Sequence, residues 1–177
     1  PFGFGLSYTK FQLSGKVCLE REGKIFAMVD VKNIGDIAGK EVVEFYYSAP
    51  QGKLGKPAKV LCGYAKSDSL NNGEAQKIEI TVPLYYIASY DDSGKSGYKN
   101  CYILEKGNYD FYLGNNVRDC ERVYTLSVSE TKVIAKHEQV CAPIEGFNRI
   151  LPTEKSGNLI VDYEKTPVSE ENLKKII

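Results

Sequence analysis

Ile25-Phe26-Ala27-Met28-Val29-Asp30-Val31 places Ile25, Ala27, Val29 and Val31 on one face of an extended chain and Asp30 on the other. Successive side chains of a strand point to opposite faces, so this period of two predicts a half-buried strand. The period recurs downstream. Glu41 to Ser48 sets Val43, Phe45 and Tyr47 against Val42, Glu44 and Tyr46, and Gln76 to Val82 sets Ile78, Ile80 and Val82 against Lys77, Glu79 and Thr81. Tyr109, Phe111 and Leu113 alternate with Asp110 and Tyr112, and Tyr124, Leu126 and Val128 with Thr125 and Ser127.

Turn residues punctuate these runs at Asn33-Ile34-Gly35-Asp36, Asn71-Asn72-Gly73, Ser93-Gly94 and Gly114-Asn115-Asn116, where Gly and Asn tolerate positive φ. Short strands with regular turns predict an all-β, immunoglobulin-like antiparallel β-sandwich. Leu104-Glu105-Lys106-Gly107-Asn108-Tyr109 has the spacing of a tyrosine corner, which makes Tyr109 a structural residue. The alternation ends near Glu130, so residues 1–130 are read as the sandwich and 131–177 as an extension. Thr131 to Val140 has room for one more strand. From Cys141 to Asp162 the chain reads as irregular, broken by Pro143, Gly146, Pro152 and Gly157. It leads to a helix start capped by Thr166 or Ser169, an ending expected of a cut inside a larger protein.

Lys and Arg number 23, as do Asp and Glu, so the basic footprint of a nucleic-acid or anionic-membrane binder is missing. No stretch is apolar enough to span a bilayer, and nothing resembles a signal peptide. Cys18, Cys62, Cys101, Cys120 and Cys141 are odd in number, with no C-x-x-C pair, and read as isolated buried thiols. That usage favours a reducing, cytoplasmic setting over secretion.

Catalytic constellations are poor. Glycoside hydrolysis needs two carboxyl groups flanking the bond. Asp91 and Asp92 share a turn, Glu20 and Glu22 sit near a hairpin end, and both pairs read as solvated loop charges. His137 is the single histidine and has no partner set for a metal or a nucleophile. Gly3-Phe4-Gly5 lacks the third glycine of a nucleotide loop. Lys53, Lys56 and Lys59 read as a solvated loop. Tyr46, Tyr85, Tyr86, Tyr98 and Tyr102 are candidates for a sugar-stacking platform, weighed against ordinary aromatic packing in a sandwich. No cofactor or metal site is expected.

Pro1-Phe2-Gly3-Phe4-Gly5-Leu6-Ser7-Tyr8-Thr9-Lys10-Phe11 resembles the motif that introduces the fibronectin type III-like domain of glycoside hydrolase family 3. The likeness continues through Val29 to Val43, Tyr46 to Pro50, Lys56 to Tyr64, Leu70 to Glu74 and Ala88 to Asp91, and covers residues 1 to about 128. Ile34 stands where the family usually has threonine, Cys62-Gly63-Tyr64 where K-G-F is common, and the tryptophan expected after Tyr90-Asp91 is missing.

The resemblance implies a non-catalytic accessory domain of a β-glucosidase, because the family's catalytic carboxylates lie in a barrel domain and an α/β sandwich domain whose motifs are not found here. Those two domains would be its partners. The opening motif lies at their junction, so Phe2, Phe4, Leu6 and Tyr8 are the candidates for interdomain contact. Some members are permuted, and Ala142-Pro143 with Phe147 to Pro152 would then connect to a following barrel. The competing reading is an independent carbohydrate-binding or adhesive module.

Overall fold

The computed structural model describes residues 2–138, 143 and 145–168. It is all-β, apart from a short 3₁₀ turn at Leu84–Ile87, and divides into two compact units. The first comprises the chain up to Ser48, Lys59–Tyr86 and Tyr109–Leu126; the second comprises Ala49–Ala58, Ile87–Asn108 and the chain from Ser127.

The first unit is the expected antiparallel sandwich. One sheet pairs β1 (Phe11–Arg21), β2 (Lys24–Asn33) and β5 (Ala75–Pro83) in the order β1-β2-β5. The other has the order β4-β3-β8-β9, from β3 (Val42–Ser48), β4 (Val60–Lys66), β8 (Gly107–Gly114) and β9 (Cys120–Val128). All five strands anticipated from alternation are present. Ile25, Ala27, Val29 and Val31 face inward from β2 with Ile78, Ile80 and Val82 of β5, all buried. Val43, Phe45, Phe111 and Leu113 answer from the second sheet, with Phe45 stacked on Phe111 at 5.5 Å between ring centroids. The sheets meet closely at Gly63, where a Cβ would lie 2.6 Å from Ile80.

Two strands carry irregularities that the alternation does not reveal. In β1 the register shifts between Ser14 and Val17, and Gly15 there has φ +60°, the mark of a glycine bulge. The bulge flips the parity, so Leu13 opposite Val31 and Cys18 opposite Ala27 share the inner face. In β3 both faces are buried. Glu44, Phe45, Tyr46 and Tyr47 are each 7% exposed or less, and the Tyr46 hydroxyl donates to the Glu44 carboxylate.

The second unit contains a sheet of order β10-β7-β6, built from β6 (Ser89–Asp91), β7 (Cys101–Leu104) and β10 (Lys132–Lys136), and a hairpin of β11 (Asn148–Lys155) and β12 (Asn158–Lys165). The hairpin corrects the expectation of an irregular stretch from Cys141 to Asp162. Ser156 and Gly157 both take positive φ, the requirement of a tight two-residue turn, and the eight cross-strand pairs from Asn148–Lys165 to Lys155–Asn158 run without a break. Pro152 is tolerated because each strand of a two-stranded ribbon is an edge. The expected helix start from Ser169 lies outside the described residues, as do Cys141 and Ala142 of the expected connector.

Candidate interdomain surface

The opening segment runs along the outside of the first unit and is held by its backbone and small residues. Gly3 has φ +76°, and a Cβ there would fall 2.2 Å from a Glu44 carboxylate oxygen. Only glycine meets both conditions. Gly3 thus covers the Glu44 carboxylate on this face of β3. Val117 N–H donates to the Phe2 carbonyl at 3.2 Å. Further on, Thr9 is anchored on Asn33, whose side chain has no exposed surface and makes four hydrogen bonds. Asn33 Oδ1 accepts from Thr9 Oγ1 (2.8 Å) and Gly35 N–H (3.0 Å), and Nδ2 donates to the carbonyls of Ile37 and Leu70 (2.8 Å each). Every donor and acceptor of the buried amide is therefore used.

Between these anchors the apolar side chains stand outward. Phe2 is 63% exposed, Phe4 60%, and Leu6 and Tyr8 96% each. Phe4 and Leu6 line an open concavity of ≈ 650 Å³ together with Ile34, Glu41, Lys66 and Asn115. Burial, only partly offset by hydrogen bonds from Val42 N–H and Asn115, pushes the Glu41 carboxyl above its ordinary value, and nearby Glu44 adds to the rise. Ile34, noted in the sequence only as a departure from the usual threonine and not as a contact candidate, is 50% exposed on this lining. Its signal was the apolar residue inside the Asn33–Asp36 turn. A cluster of aromatic and aliphatic groups on a fixed backbone suits contact with another apolar surface. Tyr109 lies elsewhere, on β8, with no exposed surface.

The other candidate residues are absorbed by structure. Asp91, read as a solvated charge, is fully buried and accepts from Gly94 N–H (2.7 Å), Ser96 N–H (2.9 Å), Ser96 Oγ (2.5 Å) and Ser93 Oγ (3.2 Å). Burial pushes its carboxyl up, but the Ser96, Gly94 and Ser93 hydrogen bonds outweigh this and hold it below the ordinary carboxylate value. Asp92 forms a fork with the Arg149 guanidinium at 2.5 and 2.8 Å. Neither is a solvated charge. Glu20 and Glu22 do sit at an exposed turn, Glu20 accepting from Gly23 N–H at 3.0 Å.

The lysine loop is also not simply solvated. Lys56 donates to Glu105 at 2.5 Å, both side chains 7% exposed, and Lys53 N–H caps the same carboxylate at 2.7 Å. Lys59 lies 4.5 Å over the Tyr112 ring. Among the tyrosines, Tyr46 is buried and cannot stack a sugar. Tyr85 and Tyr86 meet edge to face, which gives no flat shared platform, and Tyr102 packs with Tyr90 and His137. The thiols of Cys18, Cys62 and Cys120 are half-buried and that of Cys101 is buried, all four free.

Comparison with known proteins gives these features a family. Residues 41–117 match the family described as fibronectin type III-like domain. The chain is 43% identical over 170 residues to a β-glucosidase of Ruminococcus albus and 44% identical over 188 residues to β-glucosidase A of Butyrivibrio fibrisolvens. Each match covers 96% of this chain but only 17% and 21% of the relative. A solved β-glucosidase from Paenibacillus barengoltzii superposes on 99% of this chain with a TM-score of 0.89 at 36% identity, and 20% of that protein is covered. β-Glucosidase 3B of Thermotoga neapolitana matches 75% of the chain with a TM-score of 0.66 at 32% identity.

The sandwich is thus a fibronectin type III-like module. The chain belongs to the form of that domain carried by glycoside hydrolase family 3, and it spans about a fifth of the length of the curated relatives it matches.

Proposed function

We propose that this chain is the non-catalytic accessory module of a β-glucosidase that hydrolyses terminal β-D-glucosyl residues, and that it packs on the catalytic domains of the same polypeptide through Phe2, Phe4, Leu6 and Tyr8. The observation that carries the reading is the pairing of near-complete coverage of this chain with about one-fifth coverage of relatives named as β-glucosidases. The outward display of four large apolar side chains beside anchored Gly3 and Thr9 supports the contact role. Residues 1–130 form the module in this reading, and residues 131–177 lead toward a further domain.

The test is direct. The 177-residue chain should give no turnover of an aryl β-glucoside and no saturable heat with cello- or laminari-oligosaccharides, while the longer polypeptide should hydrolyse the glucoside. Turnover by the chain alone contradicts the reading, and saturable oligosaccharide binding favours an independent carbohydrate-binding module.

A further inference from the structure

The β11–β12 hairpin is attached the wrong way round for an isolated ribbon. Direct cross-strand partners share a face, so Arg149, Leu151, Thr153, Glu164, Asp162 and Ile160 form one side. That side meets the rest of the second unit through Arg149, Leu151 and Glu164, while Asp162 and Ile160 stay exposed. Arg149 forks onto Asp92 and also holds Glu164 (2.9 Å), Lys95 pairs with Glu164, and Leu151 packs where Gly55 leaves no room for a Cβ. The attachment is therefore largely ionic.

The opposite side carries Ile150 across from Tyr163, Pro152 across from Val161, and Leu159 across from Glu154. Ile150 is 62% exposed, Tyr163 63%, Val161 65% and Leu159 42%. A ribbon with one face on its own protein normally turns the apolar face inward. The charged face is instead fixed inward by the Arg149–Asp92 and Lys95–Glu164 pairs. The apolar face is a contiguous, polar-rimmed strip of the kind that marks an interaction surface.

We infer that this strip is a second docking face, covered by the catalytic portion of the same polypeptide. The inference rests on the accessory-module reading above. The occupant follows from length: relatives that match 96% of this chain carry roughly four-fifths of their sequence outside the match, and a solved β-glucosidase superposes on 99% of this chain while four-fifths of it lies beyond. An apolar ribbon face within a polypeptide of that size is met intramolecularly, at an effective concentration that a separate partner does not reach.

The test places a cysteine at Val161 (Val161→Cys) and, separately, at Leu6 (Leu6→Cys). Each is labelled with a maleimide in the 177-residue chain and in the longer polypeptide, with the modified residue read by peptide mapping. Cys at 161 should label at least about tenfold more slowly in the longer polypeptide than in the chain alone. Equal rates at 161 with protection at 6 overturn the hairpin inference and leave the module reading standing. Equal rates at both positions overturn both. A concentration-dependent dimer of the 177-residue chain that Val161→Glu dissolves would assign the strip to a second copy, and would also overturn the inference.

Discussion

The hydroxyl of Thr9 donates to Oδ1 of Asn33 at 2.8 Å, and through this bond the exposed opening segment is tied to a fully buried amide at the end of β2. Asn33 also orders its own turn through Gly35 and Ile37 and reaches Leu70 on a different loop. Asn33→Ala would strand the Thr9 hydroxyl, the Gly35 N–H and the Ile37 carbonyl, and leave the Leu70 carbonyl with only the Gly39 N–H, so a loss of roughly 2–4 kcal/mol is expected, against about 1 kcal/mol for Thr9→Val. Urea unfolding followed by tyrosine fluorescence measures both. Equal, small effects would show that the network adds little.

Lys56 and Glu105 form a buried pair, which sets up a contrast between single and double substitution. Glu105→Ala leaves an ammonium buried without its partner and should cost roughly 3–5 kcal/mol, whereas Lys56→Met with Glu105→Leu should come close to neutral. A double variant as unstable as the single one would mean that the Lys53 N–H bond to Glu105 matters more than the ion pair.

Asp91 gives the second unit an acid limit. Its carboxyl is held below the ordinary value, so the folded state binds its proton less readily than the unfolded chain. The resulting stabilisation is complete above the unfolded pKa of about 3.9 and is lost as pH falls from there through the lower folded value. Asp91→Asn should lower stability at pH 7 and flatten the decline below pH 4. Thermal melts from pH 2.5 to 7 read the difference, and parallel curves would contradict the assignment.

Burial raises the thiols of Cys18 and Cys62 to about 12. At pH 8 their thiolate fraction falls well over a hundredfold below that of a free cysteine with a pKa of about 8.5. Iodoacetamide should therefore modify both sites at least about a hundredfold more slowly than a model thiol. Because the folded state keeps these protons, stability should also fall as pH rises above about 8.5 toward 12. Rapid labelling at neutral pH would contradict this burial.

The sequence was most legible where one face of a strand is buried and nothing interrupts the period. Ile25 to Val31 and Ile78 to Val82 are of this kind. β1 was hidden because the bulge at Gly15 switches the inner parity between Leu13 and Cys18, and β4 because its centre is Gly63, chosen for sheet approach and carrying no side chain to read. The hairpin was missed because Pro152 resembles a break and because its apolar residues, Ile150, Val161 and Tyr163, face outward. Buried Lys56 and Asp91 depend on partners or loop geometry that local spacing does not reveal. The candidate surface was proposed from the likeness of Pro1 to Phe11 to a family motif and not from spacing, and Ile34 lines the same concavity only through the folded turn.

The most direct test of the docking account pairs Phe4→Asp with Leu6→Asp in both the 177-residue chain and the longer polypeptide. Both side chains are largely exposed in the chain itself, so its melting temperature should change by no more than about 4 °C, since each surface substitution usually falls within about 0.5 kcal/mol. In the longer polypeptide the same pair would bury two carboxylates against an apolar surface, and the melting temperature should fall by more than about 4 °C, with glucoside turnover falling alongside. A longer polypeptide that melts and turns over as before would contradict the account.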